Sequence, residues 1–113
     1  HSSTSMKDYS PGTLDQTVLM LALIRLLLPK VLLPATTALA SIGQMGRKKG
    51  LDAGANVIMP NLTPIKYRGD YSLYNNKKST GSESAESLRL IRQELEAYGY
   101  RADMSRGDSK MCD

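Results

Sequence analysis

The chain has 113 residues, 15 basic and 11 acidic, for a formal charge of +4 and a pI near 9.3. That is one domain or part of one, well short of the roughly 250 residues of a closed eight-unit α/β barrel. The charges are interspersed rather than sorted into blocks, which permits an anionic partner without indicating nucleic acid.

Cys112 is the single cysteine, so an internal disulfide framework is excluded, this one thiol cannot form a metal cluster by itself, and a reducing intracellular setting is expected. His1 is the one histidine, and residues 1–6 read as the remnant of an expression tag, which leaves no histidine for acid–base or metal chemistry. Thr13-Leu14-Asp15-Gln16 has capping-box spacing after the Pro11-Gly12 turn and predicts a helix over 14–28, stopped by Pro29. The apolar run 18–28 is broken by Arg25 and is shorter than the roughly 20 residues that span a bilayer. It reads as a helix apolar nearly all round, covered on more than one side or forming an interface. No signal peptide is read, so the expected location is the cytoplasm, without a membrane partner.

Residues 31–37 read as a short buried strand of a parallel sheet. Ser41-Ile42-Gly43-Gln44 repeats the capping-box spacing and predicts a helix to about residue 53, with Gly54 as its left-handed cap. A second strand is predicted over 55–60, then a short helix from Pro64 to about Tyr71 and a polar loop over 75–81. Apolar residues at Ala85, Leu88, Ile91, Leu95 and Tyr98 mark an amphipathic helix over 82–98 that Gly99 ends, and residues 100–104 suit a further short strand. Helix, strand, helix, strand with short connections is the rhythm of a parallel α/β sheet. Two strands cannot bury both sheet faces, so the economical reading is a piece of a larger α/β protein with edges that need partners.

In such folds ligands gather beyond the carboxyl ends of the strands. Thr36 and Thr37 fall at that end of the first strand, and Met59, Pro60 and Asn61 at that end of the second. Their hydroxyls and amide can bond a polar ligand without carrying charge. The alternative is local: the threonines cap the following turn, and Asn61 closes a side-chain turn. Tyr67, Tyr71 and Tyr74 step by four and three and fit either a lid over the strand ends or ordinary packing. Arg47-Lys48-Lys49 reads as a solvated helix face. Two Arg-Gly-Asp triplets and the Asn61-Leu62-Thr63 sequon are set aside because nothing indicates export, and Cys112 reads as incidental.

PATTAL (34–39), GANVIMPNLTP (54–64) and YRGDYSLY (67–74) resemble the C-terminal part of the HydE family of FeFe-hydrogenase maturases, radical S-adenosylmethionine proteins related to biotin synthase and methylornithine synthase. The resemblance runs from about Asp8 to Lys110. It implies the C-terminal portion of a (βα)8 TIM-type barrel: the last two βα units within residues 7–74, then a C-terminal helical extension over 75–113. It further implies a parent enzyme in which a 4Fe–4S cluster on a CxxxCxxC loop cleaves S-adenosylmethionine to a 5′-deoxyadenosyl radical, acting in HydE on an iron–carbonyl–cyanide–cysteine precursor. That loop is absent from these 113 residues, so this chain is expected to form cavity wall and to be inactive alone. Carried over from the family, Thr36, Thr37 and Met59 face the cavity, Tyr71 and Tyr74 lie near its substrate end, and Asn61 is a further candidate for substrate or cofactor binding. The implied partners are the rest of the parent barrel and other hydrogenase maturation proteins. The alternatives are a biotin synthase-like or methylornithine synthase-like parent, or a stand-alone oligomerising module. A homo-oligomer of the isolated chain is expected on either ground. A nucleic-acid binder is set aside, since no basic stripe carries stacking aromatics.

Overall fold

The computed structural model describes residues 3–43, 45–68 and 84–109. Helix α1 (Leu14–Leu27) starts where its capping box puts it. The Gln16 amide N–H donates to Thr13 Oγ1 at 3.2 Å, and the Thr13 N–H donates to Gln16 Oε1 at 3.0 Å, satisfying two amide groups that the first turn cannot. Arg25, the charge inside the apolar run, is half-buried and bonded to backbone carbonyls. Its Nε donates to the Gly54 carbonyl at 2.8 Å and its Nη1 to the Pro29 carbonyl at 2.7 Å, which fastens the end of α1 to the turn that leads into the second strand.

Strands β1 (Pro34–Ala35) and β2 (Val57–Ile58) pair in parallel, Pro34 opposite Val57 and Ala35 opposite Ile58. Both are shorter than the expected 31–37 and 55–60. Pro34 has no N–H to donate to a ladder. Before it, the Leu33 N–H donates to the Asn56 side chain at 2.8 Å, so an amide oxygen stands where a strand carbonyl would. After Ala35, Thr36 turns the chain into a helix. The architecture is α/β, with helices packed about a two-stranded parallel sheet among the described residues.

The helix expected from Ser41 onward is two helices displaced toward the N-terminus: α2 (Thr37–Ile42) and α3 (Gly46–Asp52). Thr36, not Ser41, is the cap of α2, and Ser41 Oγ instead donates back to the Thr37 carbonyl at 3.0 Å. Between the helices Met45 adopts a left-handed conformation, φ 62°. The junction brings α3 against Leu39 of α2. A Cβ on Gly46 would sit 2.1 Å from the Leu39 carbonyl oxygen, and one on Gly50 would sit 2.5 Å from a Leu39 methyl. Leu39 is 2% exposed and lies in the core with Leu21, Leu33, Ala35, Leu51, Ala55 and Leu95. Helix α3 ends in the expected left-handed glycine: Gly54 has φ 109°, the Ala55 N–H reaches the Gly50 carbonyl and the Gly54 N–H the Leu51 carbonyl.

Helix α4 (Ile65–Arg68) is a single turn after Pro64. Helix α5 (Ser84–Ala97) lays Leu95 in the core, with Ile91 and Tyr98 packed beside it. It closes on Gly99 (φ 84°) with the same bonding pattern as α3, Tyr100 N–H to Leu95 and Gly99 N–H to Glu96. The strand expected over 100–104 does not form; that segment is irregular, and Tyr100 is held by its own hydroxyl to Asp52 at 2.8 Å rather than by a ladder. Among the described residues no helix is long and apolar enough to cross a membrane.

Gly46→Ala drives a methyl into a backbone carbonyl that cannot step aside. It is expected to destabilise the chain by about 1–3 kcal/mol in urea unfolding. Gly12→Ala, with nothing within 4 Å of the added carbon, should change stability by less than about 0.5 kcal/mol.

Candidate functional site

Because β1 and β2 run parallel, their carboxyl ends open on the same side, and the connections leaving them shape a cleft of about 390 Å³. Helices α2 and α3 and the junction between them form one wall, α5 forms another, and the residues after β2 form the third.

Three of the residues singled out from sequence meet here: Thr37, Met59 and Asn61 all line the cleft. Thr36 does not. Its Oγ1 accepts the Leu39 N–H at 3.3 Å, and the local alternative, capping, is what its side chain does. Thr37, one residue further, is the first residue of α2, and its hydroxyl has no partner among the described residues. Asn61 combines both readings: its Oδ1 closes a turn by accepting the Thr63 N–H at 3.1 Å, while its Nδ2 is without a partner among the described residues. Tyr67 is exposed on α4, its ring beneath the Lys66 ammonium at 4.5 Å. Tyr71, Tyr74 and Cys112 lie outside the described residues.

The cleft also holds a group that sequence reading placed elsewhere. Arg47, expected on a solvated face, is 15% exposed in its side chain and forms an ion pair through Nη1 with Glu94 Oε2 of α5. Tyr98 donates its hydroxyl to the other Glu94 oxygen at 2.7 Å. Arg47 Nε is shut away from solvent without a partner. Glu94 lies 47 residues from Arg47, so no local pattern could have paired them. Of the neighbouring lysines, Lys48 pairs with Asp52 at 2.6 Å and Lys49 is exposed.

These bonds shift the groups that make them. Donating to Glu94 holds the Tyr98 phenol in its protonated form above the ordinary value near 10, and burial adds to this. Asp52 is held below the ordinary carboxylate value by hydrogen bonds from Lys48 and Tyr100, and Lys48 is raised by the same bond to Asp52. Among the described residues no three His, Cys, Asp or Glu side chains gather as metal ligands. Its polar lining comes from Thr37, Asn61, Ser87 and the Arg47–Glu94–Tyr98 group, set among methionine, leucine and isoleucine side chains.

No protein-family model matches the chain. It is similar to the FeFe-hydrogenase maturase subunit HydE of Thermotoga maritima, with 36% identity over 110 residues, which is 97% of this chain and 32% of that protein. The chain thus spans about a third of the length of the curated relative it matches. The resemblance carried by PATTAL and ANVIMPN is a homology that extends over nearly all of the sequence.

Two predictions follow from this geometry. Thr36→Val loses the cap and should cost about 1 kcal/mol in urea unfolding, whereas Thr37→Val, which deletes a hydroxyl without a partner, should change stability by less than about 0.5 kcal/mol. The folded-state pKa of Tyr98 is raised, so its bond to Glu94 stabilises fully below pH 10 and is lost as pH rises through the raised value. An absorbance titration at 295 nm should show a tyrosine ionising above that ordinary value, and this phase should disappear in Tyr98→Phe.

Proposed function

We propose that these residues are the C-terminal portion of a radical S-adenosylmethionine maturase of the HydE type, serving assembly of the FeFe-hydrogenase H-cluster. On this reading β1 and β2 are the last two strands of a (βα)8 barrel, within residues 7–74, and α5 belongs to an extension over 75–113. The observation that carries it is the 36% identity over 97% of the chain. It is supported by the parallel pairing of two strands joined through helices, and by a cleft at their carboxyl ends, where barrel enzymes keep their sites.

In that family a 4Fe–4S cluster reduces S-adenosylmethionine to generate a 5′-deoxyadenosyl radical. The residues here do not fit the cluster: a three-cysteine loop cannot be drawn from one cysteine, and no ligand group gathers among the described residues. What this chain contributes is wall. Thr37 and Asn61 present a hydroxyl and an amide to the cleft, Met59 presents a soft apolar surface, and Thr36 holds the helix that positions Thr37. The chain by itself is then inactive, and its partners are the remainder of the barrel and the other maturation proteins.

A second reading, a self-associating module, is favoured by one observation. Leu19, Met20, Leu23, Leu26 and Leu27 form an exposed apolar stripe along α1, at positions that recur on one helical face. In the first reading that stripe is covered by the preceding part of the barrel; in the second, by another copy.

A chimaera tests the proposal. The 110 matched residues of the Thermotoga protein are replaced by this chain, and maturation of apo-hydrogenase is measured beside S-adenosylmethionine cleavage. The reading expects both activities to survive within about tenfold, a cost of about 1.4 kcal/mol in the barrier. A chimaera that folds and carries its cluster yet neither cleaves nor matures would overturn it. Light scattering on the isolated chain bears on the second reading in one direction: since a severed barrel piece would also associate, an oligomer fits both readings, and a monomer opposes a self-associating module.

A further inference from the structure

We propose that α5 is a detachable wall: a helix that leaves α3 and the cleft as one unit while the rest of the fold stays closed. This goes beyond the reading above and rests on how α5 is held.

The body is fastened several times over. Leu21, Leu39 and Leu51 bring α1, α2 and α3 into one core, Gly46 and Gly50 let α3 lie directly on Leu39, the two strands are paired, and Arg25 bonds the Gly54 carbonyl. Helix α5 has a single line of attachment, to α3 and the core beside it. Among its described side chains only Leu95 and Ser87 are buried; Leu88 and Ile91 are half-buried, and Leu90 is 39% exposed.

The remaining fixings are polar. Glu94 pairs with Arg47 and, just past the helix, Tyr100 bonds Asp52. A shielded ion pair adds little net stability, because both charges lose water to form it. Arg47 Nε, shut away without a partner, is a further cost on that same contact. The bond from Tyr100 to Asp52 is exposed, so water replaces it easily. Beside these fixings the helix borders a cleft of about 390 Å³, and along that face it lacks the packed neighbours that close contact supplies.

Once off α3, the helix does not survive alone, since 14 residues is close to the length at which an isolated helix is marginal in water. Undocking and unwinding are thus one event, and it costs less than opening the core. The event takes Leu90, Ile91 and Glu94 away from the cleft and bares the edge of α3 that carries Arg47. The cleft therefore has a walled form and an open form, and the contact of α5 with α3 is the element that switches between them.

Native-state hydrogen exchange, followed by NMR on the full 113-residue chain at urea concentrations below unfolding, tests this. The amides from Leu88 to Tyr98 should share one opening, at least about a hundredfold more frequent than that of Leu21 to Arg25 in α1 and less dependent on urea. Tyr98→Phe keeps the ring but loses the bond to Glu94; it should speed α5 exchange several-fold to about tenfold, and α1 exchange alike, because every fuller opening includes that of α5. Ile24→Val trims a methyl from the packing of α1, which stays formed when α5 leaves. It should speed α1 exchange about two- to tenfold and leave α5 exchange unchanged. Rates and urea slopes shared by α5 and α1, rates graded from Ser84 with no common value, no effect of Tyr98→Phe, or an Ile24→Val effect equal in both helices would each overturn the proposal. No radical chemistry enters the measurement, so its failure and that of the chimaera are separate outcomes.

Discussion

The contact of Leu39 with Gly46 and Gly50 sets the spacing on which everything else rests. Because neither glycine has a side chain, α3 lies against the Leu39 carbonyl and methyl at distances no other residue permits. The turn of chain between the two helices is short, and Met45 takes the left-handed conformation needed to make it. With α3 seated there, Leu51 enters the core beside Leu39, and the capped end at Gly54 delivers the chain to β2. The register of β2 against β1 follows, supported from outside the ladder by Asn56 on one side and by Arg25 bonding Gly54 on the other.

The same seating opens the cleft. The first turn of α3 carries Arg47 to the edge of α5, where Glu94 and Tyr98 receive it. One ion pair and one phenol bond, with Tyr100 bonding Asp52 further along, dock the last helix on α3. Since α5 also contributes Leu95 to the core, the polar contacts orient a helix that apolar burial already holds. The wall facing the strand ends is thereby set by one ion pair and one phenol bond, both on Glu94.

Much of this was legible in the residues. The capping box at Thr13, the stop at Pro29, the left-handed glycines at 54 and 99 and the apolar spacing of α5 are short-range codes, and each formed where it was read. The failures share a cause. Ser41 carried a valid cap pattern but lost to Thr36, because α2 starts where Leu39 must enter the core. Strand lengths were overread because continuous apolar character cannot reveal that Pro34 and Asn56 limit the ladder. Topology alone places the residues at strand ends, so Thr37, Met59 and Asn61 could be expected beside the cleft they line, whereas Arg47, Glu94 and Tyr98 meet there only through packing.

The sequence by itself determined the element types, the α/β class and a homology that runs the length of the chain, because these rest on bonds and periodicities within a few residues or on the whole string at once. Only the tertiary structure decided that Thr36 caps while Thr37 faces the cleft, and that Arg47 is an ion-pair partner rather than a solvated charge. Those outcomes depend on groups that lie as far as 47 residues apart and meet through packing. Local chemistry offered each side chain two uses, and the close approach of α3 to α2 selected one.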